Sequence, residues 1–196
     1  MARVARKPVV ILEHADRVND STHVLGALLA RRRDWAGMRI AVPYLWDPDS
    51  AGRLVAARAE GSVTTTVGGR SSDRAGSPVA LSGTLRYLGH KTYTGTGPMR
   101  LGRRIDLGPT ALIDCDGLMV SITSISTPAI DLDPFLQFGL DPAAFDIIVL
   151  RSKTHFRAVY EPIAQEILIV DTPDWGTADL PSLPYARVRP GVFPVT

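Results

Sequence analysis

Val9-Val10-Ile11-Leu12-Glu13-His14-Ala15-Asp16-Arg17-Val18-Asn19-Asp20-Ser21-Thr22-His23-Val24-Leu25 runs through three textures in immediate succession. An apolar run of buried-strand length enters a polar knot, and the knot feeds a helix-periodic set, Val24, Leu25, Leu28 and Leu29. Strand, ionisable loop and helix in that order is how open α/β sheets present a site at the carboxyl end of a strand. A second junction of similar composition comes late, where the apolar segment 145–150 meets Arg151-Ser152-Lys153-Thr154-His155-Phe156-Arg157. The two junctions predict an α/β fold with a mixed β-sheet core and flanking helices.

Working outward, residues 8–13 read as the first strand and 21–33 as the helix after it, with Asn19, Asp20 and Ser21 as candidate caps. A short strand follows at 39–43. Asp47-Pro48-Asp49 then opens a helix to about Glu60, with Asp47 capping, Pro48 in the first helical position and Gly61 as the stop. The texture changes at 62–125, an inserted, largely antiparallel β region. Strands are expected there at 62–67, 79–88, 105–107, 110–114 and 118–125, with turns at Gly108-Pro109 and Asp116-Gly117. Gly68-Gly69 and the stretch 92–99 read as loops. Helical texture returns at 133–138. A short turn from Asp141 then leads to a strand at 146–150, a helix at 155–165 and a strand at 167–170. The proline-rich tail should run extended, with 171–177 covering one mouth of the sheet. One domain accounts for residues 1–196.

Composition narrows the classes. The chain is 45% hydrophobic and 21% charged, as expected of a globular domain, and its net charge of +2 provides no basic field for nucleic acid. No apolar stretch reaches membrane-spanning length. The basic start, residues 1–7, lacks the apolar segment of a secretory signal, so a cytoplasmic setting is expected. Cys115 is the single cysteine. It excludes an internal disulfide and a cysteine-rich metal site, and is expected to be a half-buried structural thiol. Arg31-Arg32-Arg33 suits the cation-favouring end of a helix.

Glu13, His14, Asp16 and His23 are ligand types for zinc or another divalent ion. Their spacing does not match a helical His-Glu-x-x-His site, and a capping and ion-pair network fits the same residues. Asn19, Asp20, Ser21 and Thr22 suit local caps, or amides facing an anion. No phosphate-loop pattern is present. Lys153 and Arg157 could anchor a carboxylate or oxyanion and His155 could donate to it, or all three could be surface groups at a helix start. A Ser152–His155 hydrolase pair lacks the Gly-x-Ser-x-Gly elbow.

In combination these segments resemble the C-terminal domain of the microcystinase C (MlrC) family of zinc metallopeptidase-like proteins, over nearly the whole chain. The resemblance rests on Pro8-Val9-Val10-Ile11-Leu12 with Asp16 and Thr22, Trp46-Asp47-Pro48, Val67-Gly68-Gly69, Gly97-Pro98-Met99, Asp106-Leu107-Gly108 and Thr110-Ala111. Most specific are Ile148-Val149-Leu150-Arg151-Ser152-Lys153-Thr154-His155-Phe156-Arg157-Ala158, Tyr160-Glu161-Pro162-Ile163-Ala164 and Leu183-Pro184-Tyr185-Ala186-Arg187-Val188-Arg189-Pro190. The resemblance implies a substrate-recognition or cleft-completing domain of a metal-dependent amide or peptide hydrolase, not active alone. No cofactor is then expected on this chain. Zinc belongs to a separate N-terminal domain of the family, which is absent here and would be supplied by a partner subunit.

On that reading His155 stabilises an oxyanion, Lys153 and Arg157 face the substrate, and Asp16, Asn19 and Thr22 border the cleft. One departure stands out. Family members carry a glycine-rich Asp-Asn-Pro-Gly-Gly-Gly type loop, where this chain has Asp16-Arg17-Val18-Asn19-Asp20, so side chains fill space that glycine leaves open. Two other readings remain. One is a catalytically silent module for a small anionic ligand or a protein; the other is a self-contained hydrolase recruiting metal through Glu13, His14, Asp16 and His23. A homo-oligomer is compatible with all of them.

Overall fold

The computed structural model describes residues 8–195, so the basic segment 1–7 lies outside the described residues. The described chain builds one eight-stranded mixed sheet. In chain order the strands are β1 (Val9–Glu13), β2 (Ile40–Trp46), β3 (Ser62–Val67), β4 (Val79–Thr94), β5 (Arg104–Cys115), β6 (Leu118–Thr123), β7 (Ile147–Arg151) and β8 (Glu166–Val170). The helices are α1 (His23–Ala30), α2 (Pro48–Ala56), α3 (Asp133–Leu136) and α4 (Arg157–Tyr160). Across the sheet the order is β3-β4-β5-β6-β2-β7-β1-β8. Pairings from β6 through β8 are parallel, and those from β3 through β6 are antiparallel. The sheet therefore joins a parallel half to the antiparallel insertion expected at 62–125.

Alternation along the parallel strands divides the core in two. Ile40, Val42, Leu45 and Val149 pack with Leu25, Trp35 and Leu54 on the α1–α2 face. Val10, Leu12, Ile148 and Leu150 pack with Phe135, Phe145, Phe156 and Tyr160 on the other. Among the described residues no helix is long and apolar enough to cross a membrane.

Several boundaries differ from the sequence expectation, each for a local reason. α1 ends at Ala30, and Arg32–Trp35 tightens into a 3-10 turn in which the Trp35 indole donates to the Leu28 carbonyl at 2.8 Å. Arg32 and Arg33 thus sit in this turn rather than at the end of α1. α2 stops at Ala56, followed by Arg58 at positive φ. β2 passes through Pro43 instead of stopping there. The register shifts between Val42 and Leu45, Tyr44 takes φ 57°, and its amide donates to Ser121 Oγ at 2.7 Å, so a bulge absorbs the missing proline donor. Gly108-Pro109 is no turn: β5 runs on through it, with Gly108 at φ 64° against Ser124. β4 likewise continues to Thr94, into the stretch expected as a loop. The helix expected at 155–165 shortens to α4. Cys115 is fully buried rather than half-buried, and burial pushes its thiol up to about 11.

Candidate functional site

β1 and β7 are parallel neighbours with Glu13 in register with Arg151. The two polar junctions, far apart in sequence, therefore leave the sheet side by side at their carboxyl ends. Arg151 and Glu13 are essentially without solvent exposure, so each charge depends on partners inside the protein. Arg151 Nε lies 2.9 Å from Asp16 Oδ2 and 3.7 Å from Glu13 Oε2, and its guanidinium also donates to the Ser21 carbonyl at 3.2 Å. Glu13 accepts from the hydroxyls of Ser21 and Thr172.

Asp16 organises the loop that lacks glycine. Its Oδ1 accepts from the amides of Val18 at 3.1 Å and Asn19 at 2.7 Å, and its Oδ2 from the amide of Ser21 at 3.0 Å. Asn19 closes this turn at φ 70°, a conformation that asparagine tolerates better than most residues, and its carbonyl accepts from the Trp46 amide at 2.7 Å. Asp20 turns the opposite way, holding the amides of Arg70 and Ser71 at 2.9 and 2.8 Å. Gly68 is needed at this contact. Its φ is 67°, and a Cβ there would lie 2.7 Å from Thr22 Cγ2 and 2.8 Å from the Asp20 carbonyl oxygen. Asp47 caps α2 through the Ser50 amide at 2.9 Å and pairs with Arg70, as its capping role requires.

Above this scaffold opens a cleft of about 390 Å³, lined by Asp16, Arg17, Asn19, Arg151, Lys153 and His155, with Ser152 and the segment 126–130 closing the side. Arg17, Arg151 and Lys153 stand against Asp16 on the wall and Glu13 buried behind it, both paired with Arg151, which leaves a small positive excess. The residual field favours an anion. Lys153 Nζ is 2.9 Å from His14 Nε2 and donates to the Gly176 carbonyl at 2.8 Å. An ammonium has three donors, so one remains for the cleft. Desolvation and the nearby Arg17 hold the Lys153 ammonium below its usual range. Desolvation first, then Lys153, lowers His14 as well, which suits a neutral imidazole accepting from the lysine.

The tail loop 171–177 does cover this mouth. Gly176 donates to the Ala15 carbonyl at 2.9 Å, and a Cβ at Gly176 would meet that oxygen at 2.3 Å and the Arg17 side chain at 2.5 Å. Asp174, a buried residue of this loop, is raised by desolvation, against which its bond from the Trp175 amide acts, and also by Asp16 and Asp20.

Of the residues singled out in the sequence, Asp16, Asn19, Lys153 and His155 share the cleft wall. Thr22 and Arg157 are not among its lining residues. Thr22 Oγ1 donates to the Ser77 carbonyl at 2.7 Å, and Arg157 pairs with Glu161 along α4. His23 Nε2 lies 2.9 Å from the Arg74 carbonyl, away from His14. Glu13 is spent on Arg151, Ser21 and Thr172. Among the described residues no three His, Cys, Asp or Glu side chains form a group that could hold a metal ion. Arg151, Arg17 and the 126–130 segment escaped the sequence reading. An arginine directly after Leu150 in a buried strand was the available signal for the first.

A mixed α/β domain with a cationic cleft at the carboxyl ends of adjacent parallel strands is the class that fold and site define. The sequence matches the family described as the MlrC C-terminus over residues 18–187, and the chain belongs to that family. A solved structure of a proposed metallopeptidase from Mesorhizobium sp. BNC1 is similar, with 25% identity and a TM-score of 0.82. The similarity covers 99% of this chain and 39% of that one, so the chain spans well under half the length of that protein. No curated protein sequence matches the chain.

Proposed function

We propose that this domain supplies the substrate-binding wall of an MlrC-like metal-dependent amide or peptide hydrolase whose zinc is held by a separate domain. The observation that carries this reading is the convergence of both polar junctions on one cationic cleft. The wall offers Lys153 and Arg17 for a substrate carboxylate, Asn19 for a polar group, and His155 as a donor for an oxyanion. Arg157, on the far side of Phe156, would act at the rim or the inter-domain contact. Asp16, Glu13 and Arg151 hold the wall rigid, and Thr22 fixes the loop behind it.

On this reading the metal-activated water belongs to the partner domain. Family membership and the similarity to a longer proposed metallopeptidase support the assignment of class. The test is activity of the chain combined with a zinc-binding MlrC-type domain. His155→Ala should lower kcat by roughly 10²–10³, the usual loss for one oxyanion donor. Unchanged kcat in His155→Ala would remove that role. Stoichiometric zinc on the purified chain alone, lost in His14→Ala, would overturn the partner-held metal.

A further inference from the structure

A separate cavity of about 450 Å³ lies toward the amino ends of the parallel strands, where Arg39 precedes β2 and Met119 sits near the start of β6. It has the size of a small-molecule site and shares no lining residue with the cleft. Arg39, Arg86 and Lys91 line it with a single carboxylate, Asp114, an excess of two positive charges. A β-bulge brings Arg86 there. The register of β4 on β5 shifts between Leu85 and Tyr87, so Arg86 and Tyr87 both line the cavity although strict alternation would part them. Arg86 Nε and Nη2 donate to Asp114 Oδ2 at 3.2 and 2.8 Å, which leaves Nη1 outside that pair.

The other two cations rest on rings instead of carboxylates. Lys91 Nζ lies 4.6 Å from the Tyr87 centroid and 5.1 Å from that of Phe138, and Arg39 Cζ lies 4.8 Å from that of Phe145. Among the described residues neither cation has a carboxylate within ion-pair distance. A ring face attracts a cation without neutralising it, so both charges stay available to a ligand. The rings are themselves fixed. The Tyr87 hydroxyl donates to the His90 carbonyl at 2.9 Å, which lays the ring along β4 past Gly89, where a Cβ would stand 3.4 Å from that hydroxyl oxygen. Phe138 meets Tyr87 edge-on at 5.4 Å and is set by the turn after α3, its amide donating to the Phe135 carbonyl at 2.9 Å.

We infer that this cavity binds a small organic phosphate monoester, with its phosphate against Arg39, Arg86 and Lys91 and its apolar body on Leu112, Met119 and Leu140. A phosphate monoester approaches two negative charges near neutral pH and offers three acceptor oxygens, matching the charge excess and the number of cations. Guanidinium groups also suit its geometry. A lone carboxylate would leave one charge and one cation unanswered, and inorganic phosphate would leave the apolar residues uncovered.

The inference is independent of the proposed hydrolase role. A ¹⁵N–¹H NMR titration of the purified chain with phenyl phosphate tests it. Shifts should centre on Tyr87, Lys91, Met119 and Phe138. Binding should weaken roughly tenfold in Lys91→Met and again in Arg39→Met, each the loss of one charge-assisted hydrogen bond, while the rest of the amide spectrum stays in place. The cleft variant Lys153→Met should bind at this site as the wild type does. Inorganic phosphate and benzoate should each bind about tenfold more weakly than phenyl phosphate, one lacking the apolar body and the other a charge. Shifts confined to the cleft, affinity unchanged in Lys91→Met and Arg39→Met, or equal affinity for inorganic phosphate or benzoate overturns the inference.

Discussion

Asp16 accepts three backbone amides and faces a buried guanidinium, so removing its carboxylate leaves Arg151 with the Ser21 carbonyl and, as its only charged partner, the more distant Glu13. Breaking a buried pair in this way costs about 3–5 kcal/mol. Asp16→Ala should therefore lower stability by that order in a urea titration, with Arg151→Ala similar. A loss under about 1 kcal/mol, the range of exposed pairs, would contradict the buried network. His14 gives a pH signature. Its pKa in the folded state lies below the ordinary 6.5, through desolvation and then Lys153. The unfolded chain therefore binds the proton first. The neutral imidazole's contribution is present above the unfolded value and is lost as pH falls through it toward the lower folded value. His14→Gln should flatten stability over that window; an unaltered profile would contradict it. The ionisable residues themselves were legible as a site-forming set. Which of them are consumed internally was not, because Glu13, Asp16 and Arg151 meet only through strand register.

The adjacency of β1 and β7 turns two separate loops into one cleft. Sequence texture predicted both strands, both loops and a mixed sheet, but periodicity carries no information on which strand lies beside which. Boundaries were least legible where side chains override local propensity: Pro43 inside β2, Gly108-Pro109 inside β5, and Trp35 folding back onto α1. The loop between β3 and β4 shows the same dependence on tertiary contact. Gly68 reads as a turn residue, yet its backbone must pass against Thr22 and Asp20 at distances no Cβ permits. Gly68→Ala should cost about 1–3 kcal/mol of stability through strain at positive φ. It should also loosen the Asp20 contacts to Arg70 and Ser71, seen as faster hydrogen exchange at those amides. Exchange as slow as in the wild type would show that the loop does not depend on this close approach.

At the scale of the molecule, the parallel half of the sheet carries the cleft and the antiparallel half extends the platform behind it. Family membership came from motif order along the chain. The division of labour proposed here, anion recognition on this domain and metal on another, is what the family resemblance implies, and the cleft's charge supports its first half. Its most direct test is a ¹⁵N–¹H NMR titration of the chain with N-acetyl-alanyl-alanine, an amide bearing a free carboxylate. Shifts should concentrate at Arg17, Asn19, Lys153 and His155 and vanish in Lys153→Met at unchanged thermal stability. Shifts confined to any other surface, or undiminished in Lys153→Met, would contradict the account.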